Sequence, residues 1–254
     1  MSDKLPVLHL PRLIGHRGAA RLAPENTLAG FRTAASLGVT WVEFDVQLSA
    51  DNVPVLMHDA TLERTTSGTG RVRDRDYETL AELDAGLWFA LEFAGERIPR
   101  LDQALDLLVR LGLSANVELK PLTGDEKLTA AAVAATLALH WPKHRPLVVS
   151  SFNRRALRAM RAAAPEWPRG FLVRKLDRAW RKQAEAIGCA SIHCAHQYLT
   201  EAKARAVKHA GYPLAVYTVN DAPVARRLFR WGVDGVFTDD PHFLSKSLKY
   251  KQKS

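Results

Sequence analysis

His16, Arg17, Glu43, Asp45, His58, Glu118 and Lys120 are the residues of this chain whose types and spacing bear on chemistry. His16 and Arg17 stand in IGHRGAARLAPENTLAGF, residues 14–31, directly behind an apolar approach, and His58 stands near the end of VPVLMHD. Glu43 and Asp45, two residues apart in WVEFDVQL, put both carboxylates on one face of a strand. Glu118 and Lys120 repeat that spacing in LSANVELK. Two imidazoles can supply both halves of general acid/base catalysis, one activating a hydroxyl or water and one protonating a leaving alkoxide. Arg17 suits a phosphate as a bidentate fork and Lys120 as a point charge. The three carboxylates offer only oxygen, the donor set of Mg²⁺ or Ca²⁺ rather than of softer metals. Alternatively they form ion pairs with Arg17 and Lys120, because carboxylates without partners are costly to bury. With a cation, the constellation describes metal-assisted phosphodiester cleavage.

Such a set needs a frame that gathers strand ends. After residue 11 the chain alternates short apolar runs with amphipathic Ala/Leu/Arg-rich stretches. Strands are predicted at LIGH, 41–48, 53–59, 113–120, 146–152, 169–175, 189–194, 213–220 and 233–240. Helices are predicted at 25–37, 101–111, 125–140, 153–163, 177–187, 200–210 and 221–231. The first helix carries Leu28, Phe31 and Leu37 and takes Asn26 or Thr27 as its cap. The alternation requires a parallel sheet. Nine strands, the second and third with no helix between them, fit an α/β (β/α)8 TIM barrel better than a doubly wound sheet, whose glycine triplet is absent. His16 and Arg17 then lie at the carboxyl end of a strand, where such barrels collect working side chains. Residues 60–99, rich in turn formers and carrying Trp88, Phe89 and Phe93, are too long for an ordinary connection. They are expected to form a small inserted lobe within a single domain spanning 1–254.

Composition narrows the class. With 254 residues, 47% hydrophobic and 25% charged, the chain has the make-up of a globular protein able to bury one large core, not of a disordered or fibrous one. A net charge of +9 attracts anions, whether phosphate substrates, nucleic acid or acidic headgroups. No apolar run reaches eighteen residues, MSDKLPVLHLPRL lacks the features of a signal peptide, and Cys189 and Cys194 are too few for a disulfide scaffold. A cytoplasmic location is expected.

Several ordered motifs now carry a resemblance. HRG (16–18), PENT (24–27), EFDVQLSADNVPVLMHDATLERTTSGTG (43–70), IPRLDQAL (98–105), NVELK (116–120), SSF (150–152), YTVN (217–220) and GVDGVFTDDP (232–241) together resemble the glycerophosphodiester phosphodiesterases. The match runs in order from residue 12 to about residue 245. It implies a TIM barrel with an inserted lobe, a divalent cation, either Mg²⁺ or Ca²⁺, and hydrolysis of deacylated phospholipids to sn-glycerol 3-phosphate and an alcohol. Position by position it makes His16 and His58 the acid/base pair, Glu43, Asp45 and Glu118 the metal ligands, and Arg17 and Lys120 the phosphate contacts. Glu25 and Asn26 match as supporting residues, read as a helix cap and a hydrogen bond that holds Arg17. Tyr217 stands where the family usually has Trp. With Phe152 it is expected to wall the substrate at a reduced footprint.

The implied partner is a small anionic glycerophosphodiester, with no nucleic acid and no stable membrane insertion. Two other functions would use the same residues: a phospholipase-type barrel acting on intact lipid, and a non-catalytic barrel that binds a phosphorylated metabolite. CASIHCAHQ places Cys189, His193, Cys194 and His196 close together, but the spacing fits no metal motif and the two cysteines face opposite ways on a strand. RKLDRAWRK, 174–182, and the tail KSLKYKQKS are read as solvated basic faces.

Overall fold

A computed structural model describes residues 8–249; the basic end of the tail, 250–254, lies outside the described residues. Eight strands run parallel and close on themselves: β1 (Leu13–Gly15), β2 (Trp41–Leu48), β4 (Ser114–Leu119), β5 (Leu147–Ser151), β6 (Arg169–Val173), β7 (Ser191–Ala195), β8 (Leu214–Tyr217) and β9 (Gly235–Thr238). Closure comes from β1, which pairs with β9 over three residues and with β2 through Gly15 and Val42. The remaining strand, β3 (Pro54–Leu56), runs antiparallel on the carboxyl half of β2 and stands outside the barrel. The main helical ring is α1 (Leu28–Ser36), α3 (Leu101–Arg110), α4 (Glu126–His140), α5 (Arg154–Ala163), α6 (Trp180–Ile187), α7 (Glu201–His209) and α8 (Ala222–Arg230), with α9 (Pro241–Lys249) following β9. The (β/α)8 barrel is thus the fold, as its alternating pattern requires.

Strand periodicity sorts the side chains into two layers. On β2, Val42, Phe44 and Val46 face outward into a core shared with Leu105 and Leu108 of α3 and Val133 of α4. Glu43, Asp45 and Gln47 take the other phase, toward the barrel axis, where Trp41 begins the strand. At the amino-terminal side the axis is filled by an apolar cluster of Leu8, Ile14, Trp41, Val148, Ala215 and Phe237. The polar residues therefore rest on an apolar floor at the carboxyl-terminal mouth.

Among the boundaries that differ from those expected, two bear on the site. Helix α1 starts at Leu28, not residue 25, because Thr27 is the cap, its hydroxyl accepting from Gly30 N at 3.1 Å, while Asn26 takes a left-handed backbone with φ 58°. The strand expected over 53–59 ends at Leu56, so His58 is carried on the following loop. From there to α3 the chain winds through two 3₁₀ turns and α2 (Tyr77–Ala81), with Leu62, Val72, Leu80, Ala85 and Ile98 packed against Val55 and Met57 as a separate apolar cluster.

Candidate active site

Both histidines line the mouth, each fixed through Nδ1. His16, immediately after β1, has its Nδ1 2.5 Å from Asp239 Oδ1, and its backbone N–H donates to Thr238 O at 2.8 Å. Asp239 is itself held: Asn220 Nδ2 donates to its Oδ2 at 2.6 Å, and its N–H donates back to Asn220 Oδ1 at 2.8 Å. Burial alone would raise the Asp239 carboxyl, but these hydrogen bonds and the charge of Arg17 hold it below the usual carboxylate range. An ionised Asp239 requires Nδ1 of His16 to be the donor, which leaves Nε2, 3.9 Å from Glu43 Oε2, as the nitrogen able to exchange a proton. His58 repeats the device with its own neighbour, Nδ1 lying 2.6 Å from Asp59 Oδ1. Arg64 donates to the other oxygen of Asp59 at 2.5 Å, and its hydrogen bond is the main reason that carboxyl is depressed. Burial holds His58 below the ordinary histidine range, and Arg17 and Lys120 add to the effect against Asp45 and Asp59.

Arg17 is placed by strain and by three carboxylates. Its backbone is left-handed, φ 49°, a conformation that costs a non-glycine residue about 1 kcal/mol. The N–H so aimed donates to Glu43 Oε2 at 3.0 Å. Its Nη1 donates to Glu25 Oε1 at 2.7 Å, and its Nε lies 3.4 Å from Asp45 Oδ2. Arg64 grips Glu25 through both terminal nitrogens at 2.8 Å, which ties the loop after β1 to the segment that carries His58. Asn26 does not cap α1 but brackets Asp45, donating to Oδ2 at 2.9 Å and accepting from the Asp45 N–H at 3.1 Å.

Glu43, Asp45 and Glu118 converge because β2 and β4 pair with Asp45 opposite Glu118. One oxygen from each lies within 4.8 Å of the others, and among the described residues this is the group of ligating side chains that comes together. Lys120 Nζ is 3.6 Å from Asp45 and 3.9 Å from Glu118, so ion pairing and clustering coexist. They do not balance. Burial, with the charges of Asp45 and Glu118, pushes the Glu43 carboxyl well up, and burial with Asp45 pushes Glu118 up to about 8. Buried like charges this close favour a cation among them, and an all-oxygen donor set fits a hard divalent ion.

His16, Arg17, Glu43, His58, Glu118 and Lys120 line one cavity of about 190 Å³ together with Leu172, Phe237, Phe152 and Tyr217, while Asp45 lies buried beside it. Phe152 is 50% exposed and meets Tyr217 edge-on with centroids 5.8 Å apart, and the Tyr217 hydroxyl donates to Val173 O at 2.8 Å. Every site residue singled out in the sequence is thus at or beside the barrel mouth. Asp239, Asn220, Asp59 and Arg64 were not singled out, although the pairs HD at 58–59 and DD at 239–240 both sit just past strand ends, where a carboxylate can reach an imidazole. The cysteine and histidine cluster is dispersed. Cys194 faces the outer core, His193 is fully buried on the barrel axis, and His196 is outside the cavity lining.

The model of the glycerophosphoryl diester phosphodiesterase family matches residues 16–243. The chain is 34% identical to a glycerophosphodiester phosphodiesterase of Caldanaerobacter subterraneus, over 91% of this chain and 95% of that one. It is 30% identical to one of Bacillus subtilis, over 93% and 86%. Among solved structures, a phosphodiesterase of Oleispira antarctica in complex with the product sn-glycerol 3-phosphate superposes with a TM-score of 0.93 at 40% identity, covering 94% of this chain and 97% of that one. A match that begins at His16 and runs through both histidines, all three carboxylates and Asp239 places the chain in the glycerophosphoryl diester phosphodiesterase family.

Proposed function

We propose that this enzyme hydrolyses glycerophosphodiesters, the deacylated forms of phospholipids, to sn-glycerol 3-phosphate and an alcohol. The observation that carries the proposal is that two carboxylate-held histidines line one cavity with Glu43, Glu118, Arg17 and Lys120, beside the buried Asp45. The Oleispira relative, with sn-glycerol 3-phosphate as its product, supports it.

His16 and His58 are the proton-transfer pair. Each has Nδ1 committed to an aspartate, so Nε2 is the nitrogen left to take a proton from an attacking hydroxyl or give one to the departing alkoxide. Asp239 and Asp59 fix the tautomers and stabilise the imidazolium when it forms. Arg17 and Lys120 bring positive charge to the phosphate, and Glu25 and Asn26 hold Arg17 and Asp45 in place. Phe152 and Tyr217 wall one side of the mouth. Glu43, Asp45 and Glu118 would hold Mg²⁺ or Ca²⁺, which when bound supplies Lewis-acid polarisation of a phosphoryl oxygen. Within the single domain, residues 60–99 act as a lobe whose Arg64 braces Glu25 and Asp59.

The test is release of sn-glycerol 3-phosphate from glycerophosphocholine and glycerophosphoethanolamine by protein stripped with EDTA, then with Mg²⁺ or Ca²⁺ restored. Cation-dependent release is expected. Activity on intact phosphatidylcholine in place of these diesters, or silence on all of them, would overturn the proposal.

A further inference from the structure

A second cleft, of about 500 Å³, opens on the far side of Phe152, Tyr217 and Thr218, residues it shares with the catalytic cavity. Its other wall is Arg174, Gln197 and Tyr198. Arg174 follows β6 directly and keeps the phase of Leu172, which lines the catalytic cavity, so its side chain belongs to the mouth and not to the outer layer. Its Nη2 donates to the Tyr198 hydroxyl at 2.8 Å and its guanidinium carbon lies 5.2 Å from that ring's centroid. Among the described residues Arg174 pairs with no carboxylate, and no acidic side chain lines the cleft. Lys175 and Arg178, in the same basic run, are exposed and do not line it.

A phosphodiester held at the histidines extends two arms. The glycerol arm is common to all such substrates, small, and uncharged beyond the phosphate, so it offers an unpaired guanidinium nothing to select. The alcohol arm varies and can carry a second anion. We propose that this cleft is the subsite for the alcohol arm and that Arg174 selects headgroups bearing a further carboxylate or phosphate, an assignment that rests on the proposed hydrolysis of glycerophosphodiesters. The planar fork of Arg174 suits either anion, and the aromatic faces of Phe152, Tyr217 and Tyr198 take the carbon skeleton of the headgroup.

Glycerophosphoserine and glycerophosphoethanolamine differ by one carboxylate and form the matched probe, with glycerophosphocholine as the measure of basal turnover. In the wild type, kcat/KM is expected to favour the serine diester over the ethanolamine diester by about fivefold, the size of effect an exposed ion pair gives. Arg174→Ala should remove that preference and Arg174→Glu reverse it. Arg178→Glu carries the same charge change outside the cleft and should keep the wild-type ratio, separating local recognition from long-range attraction. Hydrolysis of all three diesters with a ratio indifferent to Arg174, or equally sensitive to Arg178, overturns the headgroup assignment alone. Absence of hydrolysis overturns the proposed activity, and the assignment with it.

Discussion

His16 and Asp239 lie 223 residues apart in sequence and are joined at 2.5 Å across the seam where β9 meets β1. The bond holds the imidazole with Nε2 toward the cavity, and Asn220 keeps the carboxylate from turning away. Asp239→Asn would present an amide to Nδ1 and allow the other tautomer. A fall in kcat on the order of 10- to 100-fold, with KM little changed, is expected from steady-state kinetics on glycerophosphocholine. His16→Ala should cost about 10²–10⁴-fold. An Asp239→Asn enzyme with unaltered kcat would remove this role from Asp239.

His58 is depressed chiefly by burial, so its protonation falls below the pH at which a free histidine titrates. The limb of the kcat/KM profile that reports His58 should therefore lie below about pH 6.5. Asp59→Asn removes a partner that raises the imidazole, and should shift that limb further down. A limb that moves upward in Asp59→Asn would contradict the assigned pairing.

Loading the acidic triad should be visible without turnover. A divalent ion that binds only the folded protein stabilises it by about 2.7 kcal/mol at a hundredfold excess over Kd. Thermal unfolding with and without Mg²⁺ or Ca²⁺ is expected to show a rise in Tm that Glu118→Gln abolishes. Because Glu118 is pushed up to about 8, protons compete for the site, and the rise should grow as pH increases toward that value. A Tm indifferent to both ions would remove the cation from the proposal.

His193 makes stability depend on pH away from the catalytic groups. It is fully buried on the barrel axis and burial pushes it down to about 3, whereas an unfolded chain protonates it near 6.5. Between those values the unfolded state binds the extra proton, so its contribution to stability falls as pH falls, on the order of 1 kcal/mol per pH unit. Denaturant titrations from pH 7 to 4 should show a shallower decline in His193→Gln than in the wild type. Parallel declines would show that other groups set the acid sensitivity.

Gly170 is the complement of that histidine. A Cβ added there would stand 2.6 Å from His193 Cε1, so the ring occupies space that only glycine leaves free. Gly170→Ala is expected to lower stability by about 1–3 kcal/mol, as overpacked core positions do. Chemical denaturation measures it, and a neutral result would mean the ring can move aside.

The barrel was legible because repeated strand-and-helix alternation leaves little else for the chain to form, and the site because Glu43, Asp45 and Glu118 break otherwise apolar strands. Their convergence needs only the alternation of side chains and neighbouring parallel strands, as the pairing of Asp45 with Glu118 shows. Asp239 was harder to see, since nothing near it in sequence reveals that β9 closes onto β1 and brings it to His16. Asn26 was misplaced for a different reason. An asparagine before a helix looks like a cap, and only a positive φ, invisible in the sequence, turns its side chain to Asp45.

The apolar cluster of Leu8, Ile14, Trp41, Val148, Ala215 and Phe237 beneath the charged layer has a consequence for traffic. It closes the barrel from below, so every group that reaches the charged layer does so from the carboxyl-terminal side. Glu43 and Asp45 are 4% and 1% exposed and lie beneath the space a diester would fill. On the proposed function, a cation bound at the triad would leave through the space the diester fills, so a chelator added after saturating substrate is expected to act more slowly than one added before it.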